Sequence, residues 1–287
     1  MSEIISSLAD VSDRYDAVLC DVWGCFHNGV RPYQAAVDAL KAFRASGGCA
    51  VLLTNAPRPE EAVRKQLRAM NADEDAWDAI ASSGGAARAS VRNGDWGKKV
   101  YHIGTPGRDD AFFEGAGVEK VRMEDADSIV CTGLREDRSE TPADYNDELT
   151  EAALRRLQFL CANPDLVVDV DDQRLYCAGS LAMLYREKGG DVTEYGKPHP
   201  QIYDYAKQVI TNTSGKAVSD YRILCIGDGI LTDVKGAIGE GLDCLFVSGG
   251  LAAEDCGSDV ENPDAELLDK YLAAHQLSPR YTIGRLR

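Results

Sequence analysis

A short apolar run that ends in an aspartate constrains the fold of this chain more than any other stretch. Residues 17–29 read AVLCDVWGCFHNG, in which four apolar residues are followed by Asp21 and then by a turn with two glycines. This pattern is typical of a buried parallel strand that carries a carboxylate at its C-terminal tip. Because open α/β sheets bind ligands outside the carboxyl ends of their strands, the stretch predicts a functional site at Asp21.

The same alternation of apolar strand and amphipathic helix occurs in the first and last thirds of the chain. It begins with a helix over 33–46, which stops at two glycines, and a strand over 49–53, which together with the opening strand make a βαβ unit. The last third repeats it with helices over 199–210, 232–240 and 264–277 and strands over 222–226 and 244–247. We therefore predict an α/β fold with a parallel, Rossmann-like core sheet.

A second α/β module separates these two parts. Its predicted elements are strands over 100–103, 128–132 and 166–170 and a helix over 148–160. The apolar-to-glycine transition at 79–85 marks the exit from the first part. We therefore predict a core domain made of residues 1–81 and 181–287, with an inserted α/β cap domain over 82–180.

Composition excludes several classes of partner. The formal net charge of -16 argues against binding nucleic acid or an anionic membrane surface. Nine cysteines without a CxxC pair indicate a reducing compartment, and four histidines without metal-ligand spacing make a zinc site improbable. With neither an export signal nor an apolar run long enough to span a bilayer, we expect a cytoplasmic protein.

Four separated segments place polar side chains just after a predicted strand or beside a turn. They are Asp21, the pair Thr54-Asn55, Lys197 in YGKPHP, and the aspartates Asp228 and Asp233 in GDGILTD. Each segment alone could be an N-cap, a turn or a loop. Their shared order and strand-end placement are far more specific, and they point to one common site.

These segments resemble the motifs of the haloacid dehalogenase superfamily of phosphohydrolases, and more narrowly those of subclass IIA, which is similar to 4-nitrophenylphosphatases and nucleotide phosphatases. The first motif stands as Asp21-Val22-Trp23-Gly24, the second as Leu52 to Asn55, the third as Gly196-Lys197-Pro198 and the fourth as Gly227-Asp228 through Thr232-Asp233. The subclass carries its cap between the second and third motifs. The insertion over 82–180, which includes Asn163-Pro164-Asp165, matches that position.

The resemblance implies a role for each motif residue. Asp21 would be the nucleophile that forms an aspartyl-phosphate, and Thr54, Asn55 and Lys197 would bind the phosphoryl oxygens, with Thr54 and Lys197 acting in catalysis. Asp21, Asp228 and the backbone carbonyl of Trp23 would hold Mg²⁺, while Asp233 would brace these ligands. The implied partner is a small phosphorylated substrate. Caps of this subclass often pair, so the resemblance allows a homo-oligomer through the cap and leaves the oligomeric state open.

The chain departs from the family at Trp23. The family has there a second aspartate, which protonates the leaving group and activates water, a contribution worth about 10²- to 10⁴-fold in rate. Three hypotheses follow: a Mg²⁺-dependent phosphohydrolase that is slow, restricted to good leaving groups or helped by an acid from the cap; a protein that binds a phosphorylated ligand without turnover; and, least favoured, a haloacid dehalogenase. Two neighbours of Asp21 are also notable: Cys25 lacks an evident base partner, and His27 is expected in a surface turn.

Overall fold

Strands and helices alternate along most of the chain. The structure is a computed structural model, and it describes residues 2–170 and 173–287. In chain order its strands are β1 (Glu3–Ile4), β2 (Ala17–Asp21), β3 (Cys49–Thr54), β4 (Ala79–Ser82), β5 (Lys99–Ile103), β6 (Glu119–Lys120), β7 (Ser128–Cys131), β8 (Gln158–Cys161), β9 (Val167–Val170), β10 (Gln173–Tyr176), β11 (Val192–Glu194), β12 (Ile223–Gly227), β13 (Asp243–Val247) and β14 (Tyr281–Ile283). Its α-helices are α1 (Gln34–Ala45), α2 (Glu60–Ala69), α3 (Ser83–Asn93), α4 (Asn146–Leu154), α5 (Ala178–Glu187), α6 (Pro200–Ser214), α7 (Lys235–Gly239) and α8 (Ala265–His275).

The chain divides into two compact units, of which the first comprises Met1–Thr54, Arg64–Ala81 and Tyr203–Arg287. Its seven-stranded sheet has the order β1-β14-β13-β12-β2-β3-β4, with β2 between β12 and β3. The pairs on both sides of β2 are parallel, and every residue of β2 is buried. The predicted Rossmann-like fold class is thereby confirmed, because the opening apolar run forms a central strand of a parallel sheet.

Strand register in this sheet decides which side chains meet at its carboxyl edge. Asp21 lies opposite Leu53, so Thr54 follows directly beside it on the neighbouring strand. On the other side Cys20 lies opposite Ile226, which brings the end of β12 level with the end of β2. Residues that follow β2, β3 and β12 therefore emerge at one edge.

The second unit comprises Asn55–Val63 and Ser82–Ile202. Its sheet has five parallel strands in the order β11-β8-β7-β5-β6, and β9 and β10 form a separate antiparallel pair. The sequence predicts an insertion over 82–180, whereas β11 pairs with β8 and Leu181 and Tyr185 of α5 lie in the core of this unit. Because of these contacts, the second unit extends beyond residue 180 and ends at Ile202.

One predicted element is wrong. The helix predicted over 148–160 ends at Leu154, and residues 158–161 form the buried strand β8. Arg156 has a φ of 58°, a left-handed conformation that a continuing helix cannot contain. The apolar residues that suggested a helical face therefore belong to two elements, and sequence periodicity alone does not separate them.

Two further expectations concern the cysteines and the membrane. None of the nine cysteines forms a disulfide, and all are buried. Burial at these positions agrees with thiols that pack as small apolar groups. Within residues 2–170 and 173–287, no helix is both long enough and apolar enough to cross a membrane.

The hydrophobic core of the second unit supports a prediction about stability. Phe159 of β8 is fully buried and stacks on Tyr185, with ring centroids 5.1 Å apart. Phe159→Ala should lower the free energy of unfolding by about 3–5 kcal/mol, because the cavity loses both transfer and packing energy. Leu154→Ala is the matched control, since Leu154 ends α4 with 81% of its surface exposed. Chemical denaturation measures both; equal losses would contradict the assignment of β8 to the core.

Candidate active site

Two buried carboxylates meet at the carboxyl edge of the first sheet. Asp21 ends β2, Asp228 follows β12, and both are more than nine-tenths buried. A carboxylate oxygen from each and the Cys25 sulfur all lie within 4.8 Å of one another. The structure thus brings Asp21 and Asp228 together, and their roles as nucleophile and metal ligand stay predictions.

Cys25 is the member of this cluster that sequence reasoning set aside. Burial, followed by the charges of Asp228 and Asp21, raises the pKa of the Cys25 thiol well above its ordinary value. In this environment the thiol is protonated at neutral pH and is a poor nucleophile, since nucleophilic attack needs the thiolate. The two carboxylates are oxygen donors of the kind that Mg²⁺ and other hard cations prefer.

Two glycines make room for the Asp228 carboxylate. A Cβ at Gly24 or at Gly250 would lie 2.0 Å from its Oδ2 atom, closer than any real contact. Gly24 also has a φ of 77°, which favours glycine. The same Oδ2 accepts a hydrogen bond from the Leu251 amide at 3.0 Å. The glycine of the first motif, Gly24, is therefore required by the position of Asp228 in the fourth motif.

The Asp233 side chain forms hydrogen bonds within the loop that contains it. Its Oδ2 accepts hydrogen bonds from the Gly229 amide at 3.1 Å and from the Thr232 hydroxyl at 3.3 Å. The segment forms a π-helical turn over Ile230–Val234, a wide turn often found at functional sites. These bonds hold the loop that carries Asp228, which is the bracing role expected of Asp233; that role stays a prediction.

Trp23 follows Asp21 by two residues, and 42% of its surface is exposed. Its ring lies edge-on to His27, with centroids 5.2 Å apart. On the other side the backbone of Gly29 comes so close that a Cβ there would lie 2.5 Å from the ring. The ring is therefore held in a defined orientation, and its indole offers neither an acid nor a base to a reacting group.

His27 is not in a surface turn, contrary to the sequence expectation. It is 1% exposed, because the turn folds back so that the His27 carbonyl accepts from the Gly24 amide at 2.9 Å. Its Nδ1 atom accepts from the Gly29 amide at 2.9 Å, which leaves the proton of a neutral ring on Nε2. Burial lowers the pKa of His27 to about 4, so the ring is neutral at pH 7.

In the second unit, Asn55 fastens the segment that contains Lys197. Its Oδ1 accepts from the Lys197 amide at 2.7 Å, and its Nδ2 donates to the Lys197 carbonyl at 3.1 Å and to Asp165 Oδ1 at 2.8 Å. Three segments far apart in the sequence are thus joined by one amide side chain. The bond between Lys197 and Pro198 is cis, and the Lys197 side chain is buried.

The predicted site residues therefore fall into two groups. Asp21, Trp23, Thr54, Asp228 and Asp233 belong to the first unit, and Thr54 is the last residue of β3 beside Asp21. Asn55 and Lys197 belong to the second unit. The placement of Lys197 against the nucleophile, and a phosphate contact of Asn55, stay predictions.

Two family models match the chain. A model described as haloacid dehalogenase-like hydrolase matches residues 18–119, and a second one, of HAD-like hydrolases, matches residues 194–274. A hydrolase of the haloacid dehalogenase-like family from Brucella suis 1330 is 39% identical, with 99% of this chain and 100% of that chain covered and a TM-score of 0.84. The chain therefore belongs to the haloacid dehalogenase-like hydrolases.

Two other known proteins are similar to this chain, one in fold and one in sequence. A 4-nitrophenylphosphatase from Thermotoga maritima shares the fold at a TM-score of 0.71 and 21% identity, with 95% of each chain covered. A D-glycerol 3-phosphate phosphatase from Mycobacterium tuberculosis is 27% identical over 250 residues, which are 85% of this chain and 66% of that protein. The predicted family, fold class and hydrolase assignment are confirmed.

The glycine cradle of Asp228 supports a prediction about metal binding. With Asp228 as the predicted ligand of a divalent cation, Gly24→Ala should weaken Mn²⁺ binding about tenfold or more, because the new methyl group would displace the Asp228 carboxylate. Gly47→Ala is the matched control, since Gly47 also has a positive φ of 94° but a Cβ there meets nothing. Isothermal titration calorimetry measures both variants. Equal weakening would show that backbone strain, rather than the lost space, is responsible.

Proposed function

We propose that the protein is a Mg²⁺-dependent phosphohydrolase that acts on a small phosphorylated metabolite through an aspartyl-phosphate intermediate. The observation that carries this proposal is the buried Asp21 at the carboxyl end of a central strand, with an Asp228 oxygen within 4.8 Å. Membership of the haloacid dehalogenase-like hydrolases supports it, as does the likeness to two proteins named as phosphatases.

In the proposed first step a carboxylate oxygen of Asp21 attacks phosphorus. A bond forms between that oxygen and phosphorus, and the bond between phosphorus and the leaving oxygen breaks with its electron pair. Water then attacks the phosphorus of the aspartyl-phosphate, which releases inorganic phosphate and restores the carboxylate. Two displacements replace one difficult displacement, which is the advantage of covalent catalysis.

Asp21, Asp228 and the backbone carbonyl of Trp23 would hold the Mg²⁺ ion. These three groups offer oxygen donors, which a hard cation prefers. When bound, the cation neutralises charge on the carboxylates and on the phosphoryl oxygens. Asp233 would act through its loop, since its carboxylate is hydrogen bonded to Gly229 and Thr232.

Lys197 and Thr54 would contact the phosphoryl group. A lysine ammonium and a threonine hydroxyl aimed at the transferring oxygens stabilise the charge that develops there. Asn55 would serve mainly to position Lys197, because both of its amide protons and its carbonyl oxygen already bond within the second unit. This modifies the phosphate contact that the resemblance implies for Asn55.

Trp23 restricts the leaving group in this proposal. The leaving group of an alkyl phosphate is a strongly basic alkoxide, which needs a proton that the indole cannot supply. The leaving groups of aryl and acyl phosphates are weak bases, which can depart without that proton. The exposed Trp23 ring would also give an aryl group an apolar surface. The relative named for D-glycerol 3-phosphate suggests a small ester as substrate, and such an alkyl ester would require an acid from the cap.

Two alternatives are weaker. Binding of a phosphorylated ligand without turnover remains consistent with the loss of the second aspartate. Halide leaves without a proton, so a haloacid dehalogenase would tolerate the loss of the second aspartate. The retained Asp228 and Asp233 disfavour it, because displacement of halide does not call for a metal site. A screen for phosphate release from aryl, acyl and alkyl phosphates, with a parallel assay of halide release from 2-haloacids, separates all three hypotheses.

The nucleophile is tested by Asp21→Asn. Release of phosphate from 4-nitrophenyl phosphate should require Mg²⁺ and should fall by about 10³-fold or more in this variant, because the amide cannot form the intermediate. Asp16→Asn is the matched control, since Asp16 precedes the same strand and pairs with Arg222 at the surface, with 38% of its side chain exposed. Full activity in the presence of EDTA would contradict the proposed cation.

The leaving-group restriction is tested at position 23. Trp23→Asp should raise turnover of an alkyl phosphate relative to an aryl phosphate, by up to about 10²- to 10⁴-fold, because it restores a general acid. Trp23→Asn, which removes the ring without adding an acid, is the control. Steady-state kinetics with both substrates gives the ratio. An equal gain in both variants would mean that the ring acts by blocking access.

A further inference from the structure

A cleft of about 380 Å³ opens at the carboxyl end of the second sheet, within the second unit. Its walls include Tyr101 and His102 of β5, Gly104 of the following loop, Asp110, Lys120 at the end of β6, and Arg135 after β7. This volume is in the range of small-ligand pockets. None of these residues belongs to the four motifs of the hydrolase site.

The topology of the sheet places the cleft at a switch point. In the order β11-β8-β7-β5-β6, the chain leaves β5 toward β6 on one side and leaves β7 toward β8 on the other. Neighbouring strands whose connections diverge leave a crevice outside their carboxyl ends, where open α/β sheets bind ligands. The residues after β5 and β7 line the cleft, as this rule predicts.

His102 of the cleft wall is joined to a hydrogen-bonded network that includes the buried residues Thr132 and Asp109. Thr132 donates through Oγ1 to Asp109 at 2.7 Å and lies 2.9 Å from the Nε2 atom of His102. A Cβ at Gly104 would lie 2.0 Å from the Thr132 hydroxyl, so that only glycine fits above this network. Burial lowers the pKa of His102 to about 4, so its ring is neutral at pH 7.

Two cations stand on the walls of this cleft in a chain with a net charge of -16. The Arg135 guanidinium is fixed by two hydrogen bonds to Glu148, at 2.6 and 2.9 Å, and one to the Tyr101 hydroxyl at 2.9 Å. Lys120 instead pairs with Asp110 at 2.7 Å, and both of these side chains are about half exposed. An exposed pair of this kind exchanges readily for another anion.

We propose that this cleft, which no motif residue lines, is a second ligand site, and that it binds a small metabolite through a carboxylate or phosphate group. Lys120 gives up Asp110 to contact the oxyanion, and Arg135 supplies a charge held in place by Glu148 and Tyr101. The neutral His102 ring and the Tyr101 hydroxyl can accept or donate hydrogen bonds to the rest of the ligand. The site stands or falls independently of hydrolysis.

Histidine NMR tests the site directly, because the chain has four histidines. The full-length protein, labelled with ¹³C at histidine Cε1 and free of divalent metal, is titrated separately with citrate and with inorganic phosphate. The His102 signal, assigned by His102→Gln, should shift and saturate with at least one of the two probes, while that of His275 at the end of α8 stays unchanged. A His102 signal that moves with neither probe overturns the proposal.

The cation is tested with a matched pair of variants. Lys120→Gln should raise the dissociation constant about tenfold or more, the typical effect of losing a charged hydrogen-bond partner. Lys99→Gln makes the same change in charge at the start of β5, the opposite edge of the same sheet, and should leave the dissociation constant unchanged. Equal weakening in both variants would reduce the effect to general electrostatics and would overturn the proposed site.

Discussion

The candidate site depends on keeping two carboxylates close together in a buried position. Asp21 and Asp228 are both buried, and a carboxylate oxygen of each lies within 4.8 Å of the other. Burial and mutual repulsion both disfavour two negative charges, so this arrangement is stable only with compensating positive charge or donors. The folded core supplies the position at the ends of β2 and β12, and a divalent cation would supply the charge. With such a cation at Asp21 and Asp228, the proposed phosphate chemistry is compatible with the net negative charge of the whole chain.

Glycine and amide side chains do much of the positioning around these charges. Gly24 and Gly250 leave the space that the Asp228 carboxylate fills, and no residue with a Cβ could replace either of them without moving it. Asn55 joins the segments of Asp165 and Lys197 in the second unit through three hydrogen bonds. The motif residues thus differ in kind: some offer chemistry, and others hold the chemistry in place.

Trp23 changes the requirements of the reaction more than the architecture of the site. Its ring is supported by His27 and by the backbone of Gly29, so the position usual for a second aspartate is filled by an ordered apolar surface. Such a surface cannot transfer a proton, but it can pack against an apolar leaving group. The second unit has a cleft at the switch point of its own sheet, lined by two cations and by none of the motif residues. In the two proposals, substrate choice depends on the residue at position 23 of the first motif, and ligand binding by the second unit depends on residues outside the motifs.

Sequence alone determined the elements whose signals are local. The apolar run before Asp21, the helix α1 with its glycine stop, and the strand ends that carry Thr54 and Asp228 follow from periodicity and turn chemistry, and they were sufficient to predict the parallel core sheet. The helix predicted over 148–160 was wrong because a single residue, Arg156, adopts a left-handed conformation that its side chain does not announce. Tertiary structure alone decided the burial of His27, the neutral Cys25 beside the carboxylates, and the three bonds of Asn55. The last two depend on contacts between residues more than a hundred positions apart, and the first depends on how a turn folds back on itself, none of which a local pattern in the sequence contains.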